Sequence, residues 1–361
     1  MESPVGAQIT YNGRRMDYFA GTGYLGLQNH PAVLQAAQAA LQHYGFSTAT
    51  SRGGYGEHPV YDWLEQEACA YFNAEKVLYF ASGYMGASIL TQATGNRFEH
   101  IFIDSSAHFS LWEAAYASNL PITPFHHLRP QSLAEYLRSE LRPNERPLVL
   151  SDGVFPVSGE IAPLPDYLAM VKPMHGLVYL DDAHAVGVLG KHGHGTPEYF
   201  GIEDESCSTS ATLAKALGGF GGVIWGAADW VDNLDRASRI CAGASPPPLV
   251  VAAASAGALA VARNAPELRE HLWVNVTQAR NGLRSLGWQM ANTPVPILCL
   301  ESRQGVSLEH IKKGLFEQAI AVELVRSYTS TPPGGALRIA IFATHSGAQI
   351  DHLVTAIGQL V

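Results

Sequence analysis

The chain is expected to be an α/β protein, with a large doubly wound, mainly parallel sheet domain followed by a smaller C-terminal α/β domain. Three observations carry that expectation. Short apolar runs without alternation ("KVLYF", "HIFID", "RPLVL", "GLVYL", "GGVIWG") suit strands covered on both faces. Each of the first two runs is followed by a polar turn and a helical pattern, the βαβ signature of a parallel sheet. After "GASPPP" the texture shifts to an Ala-rich helix and then to a second set of alternating strands and helices.

Taken in order, residues 1–45 form an N-terminal segment that ends in a helix over "HPAVLQAAQAALQHYG". Leu34, Ala37 and Leu41 are its expected core face and Gly45 its stop. Residues 46–247 make the large domain. It opens on a helix in "VYDWLEQEACAYF" with Leu64, Ala68 and Phe72 on one face. Next comes a strand ending near Ala81, a Ser82-Gly83 turn, and a helix closed by Gly95. Residues 248–361 form the small domain, whose strands lie in "VPILCLES", "IAVELV" and "ALRIAIFA".

Bulk properties narrow the function. The 361 residues are 47% hydrophobic and 15% charged, which fits a folded globular protein. A net charge of −9 argues against a nucleic-acid partner. Four scattered cysteines without zinc spacing read as reduced thiols. No apolar run reaches the ~18 residues of a membrane span, and no charged-then-apolar leader opens the chain. A cytoplasmic location without membrane partners is expected.

Residues with chemical potential fall at strand ends, where ligands of open parallel sheets bind. Ser82-Gly83-Tyr84 precedes a helix whose N-terminus could bind a phosphate, or is an ordinary βα turn. His108 follows "HIFID" and is structural or aromatic-stacking. Asp181, Asp182 and His184 crowd the exit of "YLDDAH". They read as a strand-end cap, as a metal site of His184 with His192 and His194, or as a carboxylate facing a heteroaromatic N–H⁺. An ATPase box is excluded because no GxxxxGK[ST] loop exists. The metal reading is set aside, since "KHGHG" carries no further acidic ligand and no metal is expected.

Lys215 stands alone in "STSATLAKALGGFGG". It either snorkels to solvent or is needed neutral, as nucleophile or base. Together these groups make one site. A phosphate-binding helix start, a histidine to stack, an aspartate for a pyridinium nitrogen, a second histidine and a lysine after Thr212 are what pyridoxal 5'-phosphate (PLP) requires.

At that point the chain resembles a family. The blocks "SRGGYGEHPVYDWLE", "ASGYMGAS", "DSSAHFS", "DGVFPVSGEIAPLPDY", "DDAHAVGVLGKHGHG", "TLAKALGGFGG" and "PPGGALRIAIFATHS" are similar to the α-oxoamine synthases. These are fold-type I PLP enzymes of the aminotransferase class I/II superfamily, and include 8-amino-7-oxononanoate synthase and glycine C-acetyltransferase. The resemblance implies the aspartate aminotransferase-like fold and a homodimer with active sites at the interface. It also implies condensation of an amino acid with an acyl-CoA, loss of CO2 and release of an aminoketone. It gives Lys215 the Schiff base, Asp181 the pyridine nitrogen, His184 the phenolic oxygen and His108 the ring face. Ser82, Gly83, Tyr84, Thr212 and Ser245 fall to the phosphate, and Arg338 to the amino-acid carboxylate. Four departures touch the substrates: Thr22 replaces an Asn, Pro156 a Ser, Ala244 a Thr, and "PPGGALR" is one residue short.

Overall fold

The computed structural model describes residues 1–361, apart from the side chain of Asn96. Seven strands form the central sheet, in the spatial order Lys76–Phe80, Gly222–Gly226, Cys207–Thr212, Leu177–Asp181, Pro147–Asp152, His100–Asp104, Ile122–Phe125. Six run the same way, as the unalternating apolar runs predicted. Gly222–Gly226 is the exception, antiparallel to both neighbours. Its direction follows from a short return: Thr212 pairs with Gly222, so residues 213–221 form the loop of a hairpin. Lys215 sits in that loop. Gly218 adopts φ +64°, and a Cβ there would lie 2.4 Å from the Gln28 backbone nitrogen, so only glycine fits the turn.

Parallel strands bring their C-terminal ends to one edge. Asp152 and Asp181 are direct register partners there, and Asp181 lies beside Ser210. Helices Gly86–Thr94, Phe109–Ala117, Pro130–Glu140 and Leu164–Val171 cover the sheet faces, which bury Ile101, Phe102, Val149, Leu150 and Val178 completely.

The C-terminal unit carries an antiparallel sheet of Ile297–Glu301, Ala336–Ala340 and Glu323–Val325. The N-terminal segment joins it in space. Gln8–Tyr11 and Arg14–Tyr18 form a hairpin, and Arg14–Tyr18 pairs in parallel with Ile320–Ala321. One apolar core runs from Phe19 and Leu25 through Leu213 and Leu217 to Leu249, Leu337 and Phe342, so the two units share an interior.

The helix Pro31–Tyr44 buries a different face from the one expected. Val33 and Ala40 are inside, while Leu34 and Leu41 are 46% and 51% exposed. The reason is the Ala-rich helix Leu249–Asn264, against which it packs. Close approach there needs small residues: a Cβ on Gly257 would already lie 3.2 Å from the Ala36 Cβ. Among the described residues no single helix is long and apolar enough to cross a membrane.

Candidate active site

The strand ends open onto a cavity of about 790 Å³. Thr22, Ser82, Gly83, Tyr84, His108, Asp181, His184, Thr212, Lys215 and Arg338 all line it. Ser245 does not. It lines a separate cavity of about 270 Å³ beside Arg52 and Ala244.

Lys215 is at the centre. Its Nζ lies 2.8 Å from His184 Nε2, and the His184 Nδ1 lies 2.7 Å from the Tyr24 hydroxyl. Tyr24 in turn accepts from Arg338 Nη2 at 3.1 Å. Arginine is only a donor, so the Tyr24 hydrogen goes to His184 Nδ1. A neutral imidazole then carries its proton on Nε2, facing the Lys215 nitrogen. Burial, and next the Lys215 charge, hold His184 well below its ordinary pKa, which keeps it neutral. Burial also brings Lys215 down to about 8, against the pull of Asp181 and Asp152. Above about pH 8 the donor series Arg338, Tyr24, His184 ends on the lone pair of an uncharged amine.

Two buried charges on the cavity have no counter-ion among the described residues. Asp181 Oδ1 accepts from the Ala183 N–H at 3.0 Å and makes no ion pair. Arg338, 8% exposed, donates to the Pro156 carbonyl (2.6 Å), the Gly21 carbonyl (3.0 Å) and Tyr24, and meets no carboxylate. A buried carboxylate and a buried guanidinium left this way call for a cation and an anion from outside the chain.

Ser82 to Tyr84 make a tight turn before the helix Gly86–Thr94. The Tyr84 N–H donates to Ser82 Oγ at 3.3 Å. Thr212 crosses close beneath: a Cβ on Gly83 would lie 2.6 Å from the Thr212 Cβ. The Thr212 hydroxyl donates to the Gly221 carbonyl at 3.0 Å, so its hydrogen is already engaged. His108 caps the helix Phe109–Ala117. Its Nε2 meets the Tyr328 hydroxyl at 2.8 Å and its Nδ1 accepts from the Ser110 N–H at 3.2 Å. Burial lowers its pKa.

The three readings of "DDAH" separate in space. Asp182 is the cap: its carboxylate accepts from Thr196 N–H and Thr196 Oγ–H, both at 2.7 Å, closing the loop 183–195. Burial raises its pKa to about 7. Asp181 faces the cavity instead. The His184-His192-His194 grouping does not form, because His184 is committed to Tyr24 and Lys215; Glu198 takes its place beside the other two histidines. The statement that "KHGHG" lacks an acidic ligand is thereby corrected.

Tyr24, Asp152 and Tyr328 were not singled out in the sequence. Asp152 accepts the His108 N–H at 2.8 Å, and burial followed by the Asp181 charge pushes its pKa well up. Its place at the end of an apolar strand was the available signal. Pro156, one of the departures, offers through its carbonyl an anchor for Arg338.

Chemically this is the site of a PLP-dependent enzyme. Residues 20–357 match the family model for aminotransferase class I and II. The chain is 32% identical to the 8-amino-7-oxononanoate synthase of Methylococcus capsulatus, across 100% of its own length and 93% of the relative. It is 31% identical to that of Nitrosococcus oceani, across 100% and 96%. The serine palmitoyltransferase structure from Sphingomonas wittichii superposes with a TM-score of 0.91 at 25% identity, over 98% of this chain and 89% of that one. The chain belongs to the aminotransferase class I and II family, within its α-oxoamine synthase group. PLP is its cofactor.

Proposed function

We propose that the chain condenses a small amino acid with an acyl-CoA, or another acyl thioester, and releases CO2, the free thiol and an aminoketone. Arg338 carries this reading. A buried guanidinium without a carboxylate, on the same cavity as Lys215 and Asp181, suits an amino-acid carboxylate held beside the cofactor. The full-length similarity to enzymes named 8-amino-7-oxononanoate synthase supports the thioester as second substrate.

Bound PLP would supply an electron sink for the pair released at the amino acid's α-carbon. The chain's residues do the rest. Asp181 would keep a proton on the ring nitrogen, and His184 would offer its Nε2–H to the phenolic oxygen. Ser82, Gly83 and Tyr84 would hold the phosphate, with Thr212 close beneath them, and His108, steadied by Tyr328, would cover the ring. Lys215 would hold the cofactor through its Nζ and, once free as an uncharged amine, would be in place to act at the amino acid's α-carbon. It then takes the α-proton and later returns one. Arg338 grips the carboxylate until its bond to the α-carbon breaks and CO2 leaves. The new bond joins the α-carbon to the acyl carbonyl carbon, and the C–S bond breaks to give the thiol.

The assembly is a homodimer in the cytoplasm. Exposed Leu34, Leu41, Tyr44 and Phe46 near one end of the chain support the dimer, and four unpaired cysteines suit a reducing compartment. The test is a panel of amino acids with and without acyl-CoA. Thiol release that requires both substrates is expected, whereas keto-acid formation without thiol release contradicts the reading.

A further inference from the structure

The loop between His184 and the short helix Thr196–Phe200 carries groups that the reaction does not use. It is firmly built. The Gly187 N–H donates to the Gly193 carbonyl at 2.8 Å, and the Gly195 N–H to the Leu189 carbonyl at 3.1 Å. Three side chains from outside hold it: Tyr71 donates to the Gly193 carbonyl (3.0 Å), Trp273 to that of Val188 (3.0 Å) and Arg269 to that of Lys191 (3.2 Å). This places His192 and His194 against Glu198. The Glu198 carboxylate is fixed by backbone donors, His192 N–H at 3.0 Å and His194 N–H at 2.9 Å. Among the described residues no lysine or arginine pairs with it.

One donor atom from each of the three side chains lies within 4.8 Å of the other two. The His192 Nδ1 is 2.6 Å from Glu198 Oε1, and the His194 Nδ1 is 4.0 Å from the same oxygen. A tetrahedral ion with bonds of ~2.0–2.1 Å spaces its ligand atoms by roughly 3.3 Å, so each of these separations needs to change by about 0.7 Å. His192 is free to adjust, its side chain being 60% exposed. All three residues line a cavity of about 1230 Å³, on whose wall Phe72 and Trp225 stack at 4.0 Å.

We propose that His192, His194 and Glu198 bind one divalent d-block cation of the zinc type. Two imidazoles and one carboxylate suit zinc, cobalt or nickel, whereas magnesium and calcium require more oxygen ligands. Three protein ligands leave a fourth position on the cavity side for water or a small anion. The cation would tie the tip of the loop to the helix that follows it. Through the Asp182–Thr196 contacts, the same loop is fastened to the strand end that carries Asp181.

The test uses the PLP-loaded protein after chelator treatment, dialysed against Zn2+ and separately against Co2+. One zinc per chain is expected to remain after gel filtration, and Co2+ to give visible d–d bands. His192→Ala and His194→Gln are each expected to weaken retention at least tenfold; the exposed His192 position keeps the first variant folded, as circular dichroism would check. Failure to retain the metal, or retention that both variants leave unchanged, overturns the proposal.

Discussion

Lys215 shows how a single charge is disarmed by its surroundings. Burial brings its pKa to about 8, and the neutral His184 presents a donor that only an uncharged amine can accept. In cofactor-free protein, the rate of covalent attachment of added PLP, followed by visible absorbance, should therefore rise through about pH 8 and then level off. Continued increase to pH 10 would contradict this. Tyr24 sets the tautomer. In Tyr24→Phe the imidazole can move its proton to Nδ1, so that Nε2 accepts from the charged ammonium. The midpoint should then move upward by as much as about one pH unit, the worth of one buried hydrogen bond. An unmoved midpoint would remove Tyr24 from the account. Lys215 could be singled out in the sequence because no other charge stands near it. Tyr24 lies 160 residues from His184, a contact that exists only after folding.

Among the elements, the hairpin that holds Lys215 and the segment that anchors Arg338 are held differently. The segment around Pro156 is braced by His127, whose Nδ1 meets buried Asp104 at 2.8 Å and whose Nε2 meets Glu160 at 3.3 Å. Burial opposes the charge on His127, but the two carboxylates outweigh it and raise its pKa to about 9. A raised folded-state value means stability that is full below the unfolded histidine's pKa of about 6.5 and lost as pH climbs through about 9. After allowance for solvent screening the effect is on the order of 1 kcal/mol. The stability gap between wild type and His127→Gln, from urea unfolding, should shrink over that interval; a constant gap would contradict the brace. The helix Pro31–Tyr44 makes a second test. Its exposed leucines belong to the proposed dimer contact, so Leu41→Glu should halve the mass measured by light scattering, and an unchanged mass would place the contact elsewhere. Amphipathic reading chose the leucine face as core because it weighs size. The packing chose the alanine face because the partner helix approaches too closely for leucine.

At the scale of the whole molecule, the strand ends deliver most of the chemistry to one cavity, and the C-terminal unit completes it with Arg338 and Tyr328. That much of the architecture was readable because buried parallel strands have a distinctive composition. The direction of Gly222–Gly226 was not, since an apolar run looks the same in either sense; only the shortness of the loop before it reverses the chain. Most residues that line the cavity were readable for a related reason: they stand near a strand end or helix start that the apolar pattern locates. Residues that hold those side chains in place, such as Asp152 behind His108, are set by strand register. In the proposed reaction of this cavity, the carboxylate held by Arg338 is lost only when a thioester is attacked. The most direct measurement uses an amino acid labelled in its carboxyl carbon, counting labelled CO2 and free thiol together. The two are expected in equal amounts, neither without the other substrate, and both lost in Lys215→Ala. Labelled CO2 released without a thioester, or thiol released with the label retained in the product, would contradict it.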